Sequence, residues 1–371
     1  MPSQMQRIQK ITYSGADMAD NINEREVILS VKDLVVKFSL RGRVLKAIRE
    51  VSLDIYKGEN LAIVGESGSG KSVFTKTFNG MQDPNGFIDK GSIMYKGMDL
   101  AKFKKEKEWR QIRGSEIAMV FQDPMTSLNP LKTVSEQITE AITLHTKDVS
   151  PQEAKARALE YIRDVGIENP EKRGSQFPHE FSGGMRQRIV IAIALACNPK
   201  ILICDEPTTA LDVTIQAQII SLLKNLKEKY NLTVIYITHD LGVVAAVADR
   251  VAVMYAGDII EIGGVREIFY NAQHPYTWAL LSSLPQLGIK GEKLFTIKGT
   301  PPNLFYQVKG DAFAPRNPDA LRIDFVKRPP YFDVPGSDTH KVRTWLLDPR
   351  SPQIEPPPVI KSSKGSRRHA V

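Results

Sequence analysis

Residues 60–81 read NLAIVGESGSGKSVFTKTFNGM, and the reading of this stretch decides the architecture. NLAIV is an apolar run of strand length, GESGSGKS is a glycine-punctuated turn, and the remainder continues as a helix. The turn matches G-x-x-x-x-G-K-[ST] at every fixed position, with the strand before it and the helix after it that the motif requires. Gly65, Gly68 and Gly70 let the backbone wrap, so that N–H groups along Gly65, Glu66, Ser67, Gly68, Ser69 and Gly70 face a phosphate chain. Lys71 is expected on the β- and γ-phosphates, and the Ser72 hydroxyl on Mg²⁺. A merely glycine-rich turn would not need the strand, the spacing, the lysine and the serine together.

The same strand–turn–helix grammar returns at PKILICDEPTTALD (199–212) and LTVIYITHDLGVVAAVA (232–248). Strands alternating with helices imply an α/β fold with a mostly parallel sheet covered on both faces. Upstream, EVILSVKDLVVKF (26–38) alternates apolar and polar residues like a half-buried strand, and SLDIY (52–56) reads as a shorter one. Between about Pro124 and Asn198 the pattern is that of amphipathic helices without strands, as in SPQEAKARALEYIRDVGI (150–167). The expected organisation is a loose segment over 1–26, an α/β domain over 27–265 with a helical subdomain at 124–198, a proline-rich extension over 266–350, and a flexible tail over 351–371.

Hydrolysis of a bound nucleotide needs a carboxylate for the metal and another for water. ILICDE supplies both where an apolar strand ends. Asp205 is expected to hold Mg²⁺ and Glu206 to act on the attacking water as general base. An isolated Asp-Glu pair is more often a surface turn, but this pair follows four apolar residues, and open α/β sheets bind ligands at strand ends. His239, in ITHD after another apolar strand, is the candidate third group at the γ-phosphate or the base. A lone histidine in that place is also compatible with a structural role.

FSGGMRQR (181–188) raises a separate question, because two adjacent glycines opening a basic helix make a second place for an anion. Composition narrows what the chain can be. At 371 residues it has room for one large domain and an appendage, and 42% hydrophobic residues is ordinary for a globular protein. The two cysteines, Cys197 and Cys204, sit in apolar segments and read as core residues of a reducing compartment. MPSQMQRIQK lacks the apolar core of a signal peptide. The longest apolar stretch, Ile189 to Cys197, is about half of the roughly 20 residues a bilayer span needs. The net charge of +8 is scattered, with local excess at 102–113 and 361–369 and no interleaved aromatics, so no nucleic-acid partner is expected.

Taken together the motifs resemble those of an ABC-transporter ATPase, over about residues 27–350. FQDP (121–124) looks like the family's Q-loop, FSGGM (181–185) like its signature, LICDE (202–206) like Walker B, TALD (209–212) like the D-loop and THD (238–240) like the H-loop. The resemblance implies a cassette with a P-loop core, an N-terminal antiparallel β-subdomain and a helical subdomain. It also implies adenine stacking at Phe38, γ-phosphate sensing and metal contact at Gln122, and a D-loop role for Asp212. In this family two cassettes pack head to tail, so Ser182, Gly183, Gly184 and Met185 would grip the ATP held by a partner. That answers the question of the second anion site.

GESGSGKS, FQDPMTSLNP, SGGMRQR, DEPTTALDVT and HPYTWALLSSLP (274–285) are close to the spellings of the oligopeptide/dipeptide importer branch, of the Gram-positive Opp/Ami kind. The implied assembly has two membrane permeases, a second and different ATPase, and indirectly an extracellular peptide-binding lipoprotein, with this chain on the cytoplasmic face of the membrane. The implied cofactors are ATP and Mg²⁺. Many relatives carry four cysteines in the extension that look like iron–sulfur ligands. Here the matching places hold Asp311, Asn317, Asp324 and Thr344, so no cluster is expected and side-chain packing is expected to hold the extension. The competing readings are a soluble ABC ATPase of translation or DNA repair, a regulatory module without turnover, and an importer of another substrate such as nickel. One phosphate loop and no sustained heptads count against the first, and Glu206 with His239 against the second.

Overall fold

The computed structural model describes residues 25–209, 211–284 and 297–357. The loose segment expected at 1–26 and the tail expected at 351–371 lie largely outside these residues. The chain divides into two compact units, Ile28–Asp258 and a second beginning at Ile259, whereas the sequence patterning placed the end of the ATPase domain at 265.

Two sheets build the first unit. One is antiparallel, with β1 (Val27–Leu40), β2 (Arg43–Tyr56), β4 (Gly86–Tyr95) and β5 (Met98–Asp99) in the order β2-β1-β4-β5. The piece expected as a short strand at 52–56 is only the end of β2, which starts at Arg43. Alternation fails upstream because Ala47, Ile48 and Arg49 are buried in succession. Arg49 can be buried because its Nε donates to Ala256 O at 2.8 Å and its guanidinium lies 3.9 Å from Asp258.

The other sheet holds β3 (Asn60–Val64), β6 (Ile117–Val120), β7 (Ile201–Asp205), β8 (Thr233–Thr238) and β9 (Arg250–Tyr255). Their spatial order is β9-β3-β8-β7-β6, and every pairing is parallel. Nearly every residue of these strands is buried, as a parallel sheet covered on both faces demands. The order has one consequence for the chemistry: β8 lies between β3 and β7, so the residues that leave those three strands emerge side by side.

Between 124 and 198 no strand occurs among the described residues. Helices Val134–His145, Pro151–Asp164 and Gly183–Ala196 pack on one another. Each begins on a hydroxyl cap: Thr133 with Glu136 in a capping box, Ser150 ahead of Pro151, and Ser182 accepting from Met185 N. Gly183–Ala196 is buried on nearly all sides, which accounts for its unbroken apolar run without a membrane. Among the described residues no helix is long and apolar enough to cross a bilayer.

The second unit is less irregular than its prolines suggest. β12 (Lys341–Val342) pairs antiparallel with both β10 (Asp258–Gly264) and β11 (Phe332–Asp333). Two helices follow β10, Val265–Asn271 and Pro275–Ser282, and Pro275 is tolerated because it occupies the first turn. The hub is Glu261, fully buried, which accepts from Gln273 N at 2.6 Å and His274 N at 3.2 Å and lies 2.8 Å from Nε2 of the equally buried His340. Tyr276 packs edge-on against Phe313 with ring centroids 5.4 Å apart.

The four positions at which relatives are expected to carry cysteines are all engaged locally. Asp311 accepts from Phe313 N at 3.0 Å, Asn317 from Asp319 N at 3.1 Å, Asp324 from Leu321 N at 2.7 Å and Thr344 from Leu346 N at 3.3 Å. Each side chain thus ties down a turn of its own segment.

Candidate functional site

The phosphate loop leaves β3 at Gly65, whose φ is +152°. A Cβ there would stand 2.1 Å from Met254 O in the neighbouring strand, so only glycine fits. Ser67 and Gly68 form the exposed crest of the loop, while Ser69 and Lys71 are buried. Lys71 Nζ donates to Gly65 O at 2.8 Å and to Glu66 O at 3.0 Å, which centres the ammonium within the loop. Burial pushes its pKa down, and the carboxylates of Glu206, Asp205 and Glu66 oppose that shift.

Ser72 Oγ donates to Asp205 Oδ1 at 2.9 Å, which joins the helix after β3 to the end of β7. Asp205 is 6% exposed. Burial raises its pKa, the Ser72 hydrogen bond works against the rise, Glu206 adds to it, and Lys76 and Lys71 reduce it. The two oxygens are hard donors at the mouth of a phosphate loop, a set that suits a magnesium ion.

Glu206 is the convergence point. Its φ is +46°, a region non-glycine residues seldom occupy, and its N–H donates to Ile237 O at 2.8 Å. Its Oε2 accepts from Gln122 Nε2 at 3.1 Å and from Thr209 Oγ1 at 2.9 Å, and its Oε1 lies 3.2 Å from His239 Nδ1. Three separate segments of chain therefore meet on one carboxylate. Glu206 and His239 differ in access, with side-chain exposures of 16% and 60%. Sequence reasoning singled out Gln122, Glu206 and His239 but passed over Thr209. The available signal was a hydroxyl residue three places after a carboxylate in a turn, which Thr209 N closes on Glu206 O at 3.2 Å.

Behind these groups runs a second tier. Asp240 caps the helix Leu241–Val247 and accepts from Gln216 Nε2 at 2.8 Å, and Gln216 lies on the helix Val213–Tyr230 that Asp212 caps. Asp212 Oδ1 accepts from Thr214 N and Ile215 N, both at 3.0 Å, so it has a structural duty at the start of its helix.

The segment Ser182–Met185 stands apart from this cluster at its own helix start. Ser182 and Gly183 are exposed, whereas Gly184 is buried. Sequence reading treated the two glycines alike, and the structure separates them. A Cβ on Gly184 would lie 2.5 Å from Ile215 Cγ2, while one on Gly183 would find nothing nearer than Leu211 Cδ2 at 3.8 Å. Gly184 is thus required by packing of its helix on Val213–Tyr230, and only Gly183 is free to meet something outside the chain. Gly184→Val should destabilise the fold by about 1–3 kcal/mol through overpacking, with Gly183→Val near neutral. Thermal unfolding of the two variants checks this, and equal midpoints would contradict it.

Phe38 lies in the antiparallel sheet opposite Gly86, and a Cβ on Gly86 would meet its ring at 2.9 Å. The residue is 8% exposed, so the expected adenine contact has less structural support than the phosphate contacts do.

Residues 48–209 match the family model described as ABC transporter, and residues 260–323 match the model for the oligopeptide/dipeptide transporter C-terminal region. The chain is 58% identical to the oligopeptide transport ATP-binding protein AmiE of Streptococcus pneumoniae, over 91% of this chain and 94% of that one. It is 57% identical to the oligopeptide transport ATP-binding protein OppD of Bacillus subtilis, over 90% and 93% of the two chains. Among solved structures, it resembles the ATP-binding cassette MJ0796, described as a dimer in a post-hydrolysis state bound to ADP and Pi. The TM-score is 0.57 and the identity 30%, with 64% of this chain and 99% of that one covered.

Proposed function

Because the chain belongs to the ATP-binding subunits of the oligopeptide/dipeptide ABC transporters, we propose that it is the ATP-hydrolysing motor of an oligopeptide importer. The observation that carries the enzymatic reading is the convergence of Gln122, Thr209 and His239 on Glu206, beside the Ser72–Asp205 pair.

In this reading the loop 65–70 and Lys71 bind the β- and γ-phosphates, with the ammonium already centred by Gly65 O and Glu66 O. Ser72 and Asp205, with the amide oxygen of Gln122, would hold Mg²⁺. That ion supplies charge neutralisation to the phosphate oxygens. Glu206 takes the proton of the attacking water, and His239 steadies both the carboxylate and the γ-phosphate. Specificity for peptide does not arise here, since no transported molecule needs to touch this chain.

Ser182 and Gly183 are the exposed part of the segment expected to grip a partner's nucleotide, and the helix start behind them favours an anion. Together with the dimeric form of the MJ0796 cassette, this supports a head-to-tail pair of cassettes in which each chain provides halves of two sites. ATP favours the closed pair because it is bound from both sides only there, and that differential affinity is the drive. The inferred location is the cytoplasmic face of the membrane, held there by permeases.

The test is a tagged chain recovered from mildly solubilised membranes, with the co-purifying chains identified. Two permeases and a second, different cassette are expected. Ribosomal proteins or nucleic acid without membrane chains would overturn the transport reading and leave the ATPase.

A further inference from the structure

We propose that Thr209 is a positioning residue for ATP hydrolysis, holding Glu206 so that Oε1 is the oxygen left open to the attacking water. This rests on the reading of Glu206 as the base. A carboxylate oxygen has two lone pairs, and those of Glu206 Oε2 are taken by Thr209 Oγ1 at 2.9 Å and Gln122 Nε2 at 3.1 Å. Among the described residues Oε1 has one hydrogen-bonding neighbour, His239 Nδ1 at 3.2 Å, and so keeps an acceptor site free.

The two donors on Oε2 are not equivalent. Gln122 comes from a segment 84 residues away, and a role at the γ-phosphate or metal would draw its amide off Glu206. Thr209 is three residues from Glu206 in the same turn, so it stays in place when Gln122 is engaged elsewhere. Nor does the turn need the hydroxyl for its own closure, because Thr209 N already donates to Glu206 O at 3.2 Å. The hydroxyl is spare for the carboxylate. Without it, and with Gln122 engaged elsewhere, only His239 is left to hold the carboxylate, which can then offer either oxygen, and this lowers the fraction of encounters aligned with the water.

The experiment compares ATP turnover by the assembled transporter carrying Thr209→Val, Thr209→Ser and Glu206→Gln. The partner cassette's own phosphate-loop lysine is replaced in every sample, so that each variant, Glu206→Gln included, reports turnover at this chain's site alone. Valine preserves the shape and removes the donor, and kcat should fall about tenfold, the value of one charge-assisted hydrogen bond. KM for ATP should change less than about twofold, because the hydroxyl touches no part of the nucleotide. Serine should restore most of kcat. Unchanged turnover in Thr209→Val, a serine variant no better than valine, or a loss of labelled-ATP binding in either would overturn the proposal. If Glu206→Gln itself kept normal turnover, the base assignment would fall instead, so the two failures are distinguishable.

Discussion

Replacing Glu206 with glutamine leaves ATP binding intact and lowers turnover at the site this residue serves by about 10²–10⁴-fold, the usual worth of a general base. The amide has the same volume and remains within reach of Gln122, Thr209 and His239, so the geometry around it changes little. What it loses is the ability to accept the proton of water. The phosphate loop and Lys71 are untouched, and the nucleotide should therefore persist and hold the variant closed on its partner. Parallel assays of ATP binding and phosphate release decide the matter, and a variant that turns over ATP normally would remove Glu206 from the mechanism. The backbone supports the assignment independently. A glutamate at φ +46° costs about 1–3 kcal/mol of local strain, which persists only where the surroundings over-determine it. Here the N–H is held by Ile237 O and the side chain by three partners.

The second large effect is one of stability. Glu261→Ala is expected to cost about 3–5 kcal/mol, the summed penalty for leaving two N–H groups and a buried imidazole without their acceptor. Removing the carboxylate strips the acceptor from Gln273 N and His274 N and leaves the imidazole of His340 facing a cavity. The loss falls where β10, the start of the helix Pro275–Ser282 and the approach to β12 are joined, so the whole second unit should loosen. Limited proteolysis reads this directly: cleavage should appear beyond residue 259 while Ile28–Asp258 survives. Resistance equal to that of the parent would show that Glu261 is not the hub.

Several of these features were written in plain view along the chain. The phosphate loop was legible because its chemistry is local, with strand, glycines, lysine and serine contiguous within 60–72. Three strands of the parallel core, β3, β7 and β8, were legible because each is largely an apolar run, and the helix Pro151–Asp164 because its apolar periodicity is short-range, whereas β6 and β9 were not read and Gly183–Ala196, buried on nearly all sides, is not the amphipathic helix expected there. The carboxylate pair announced itself by its place at the end of β7. The spellings of the motifs, through the family they resemble, implied the kind of assembly.

Other facts depended on which elements become neighbours, and nothing in a linear pattern encodes that. Spatial order in the main sheet departs from chain order, and only because β8 lies between β3 and β7 do His239 and Ser72 reach the ends of the same carboxylate pair. Thr209 was legible only as the first residue of the D-loop-like TALD, and the fold is what sets its hydroxyl on Glu206. Arg49 broke the alternation of β2 for the sake of carbonyl and carboxylate partners more than 200 residues away. The adjacent Gly183 and Gly184 were indistinguishable as letters, and a methyl group of Ile215 across a helix packing decides that one is required within the chain while the other faces outward. Local spacing sets what a segment can bind, but the sharing of one small volume by distant segments is set by burial and strand order, which exist only in the folded chain.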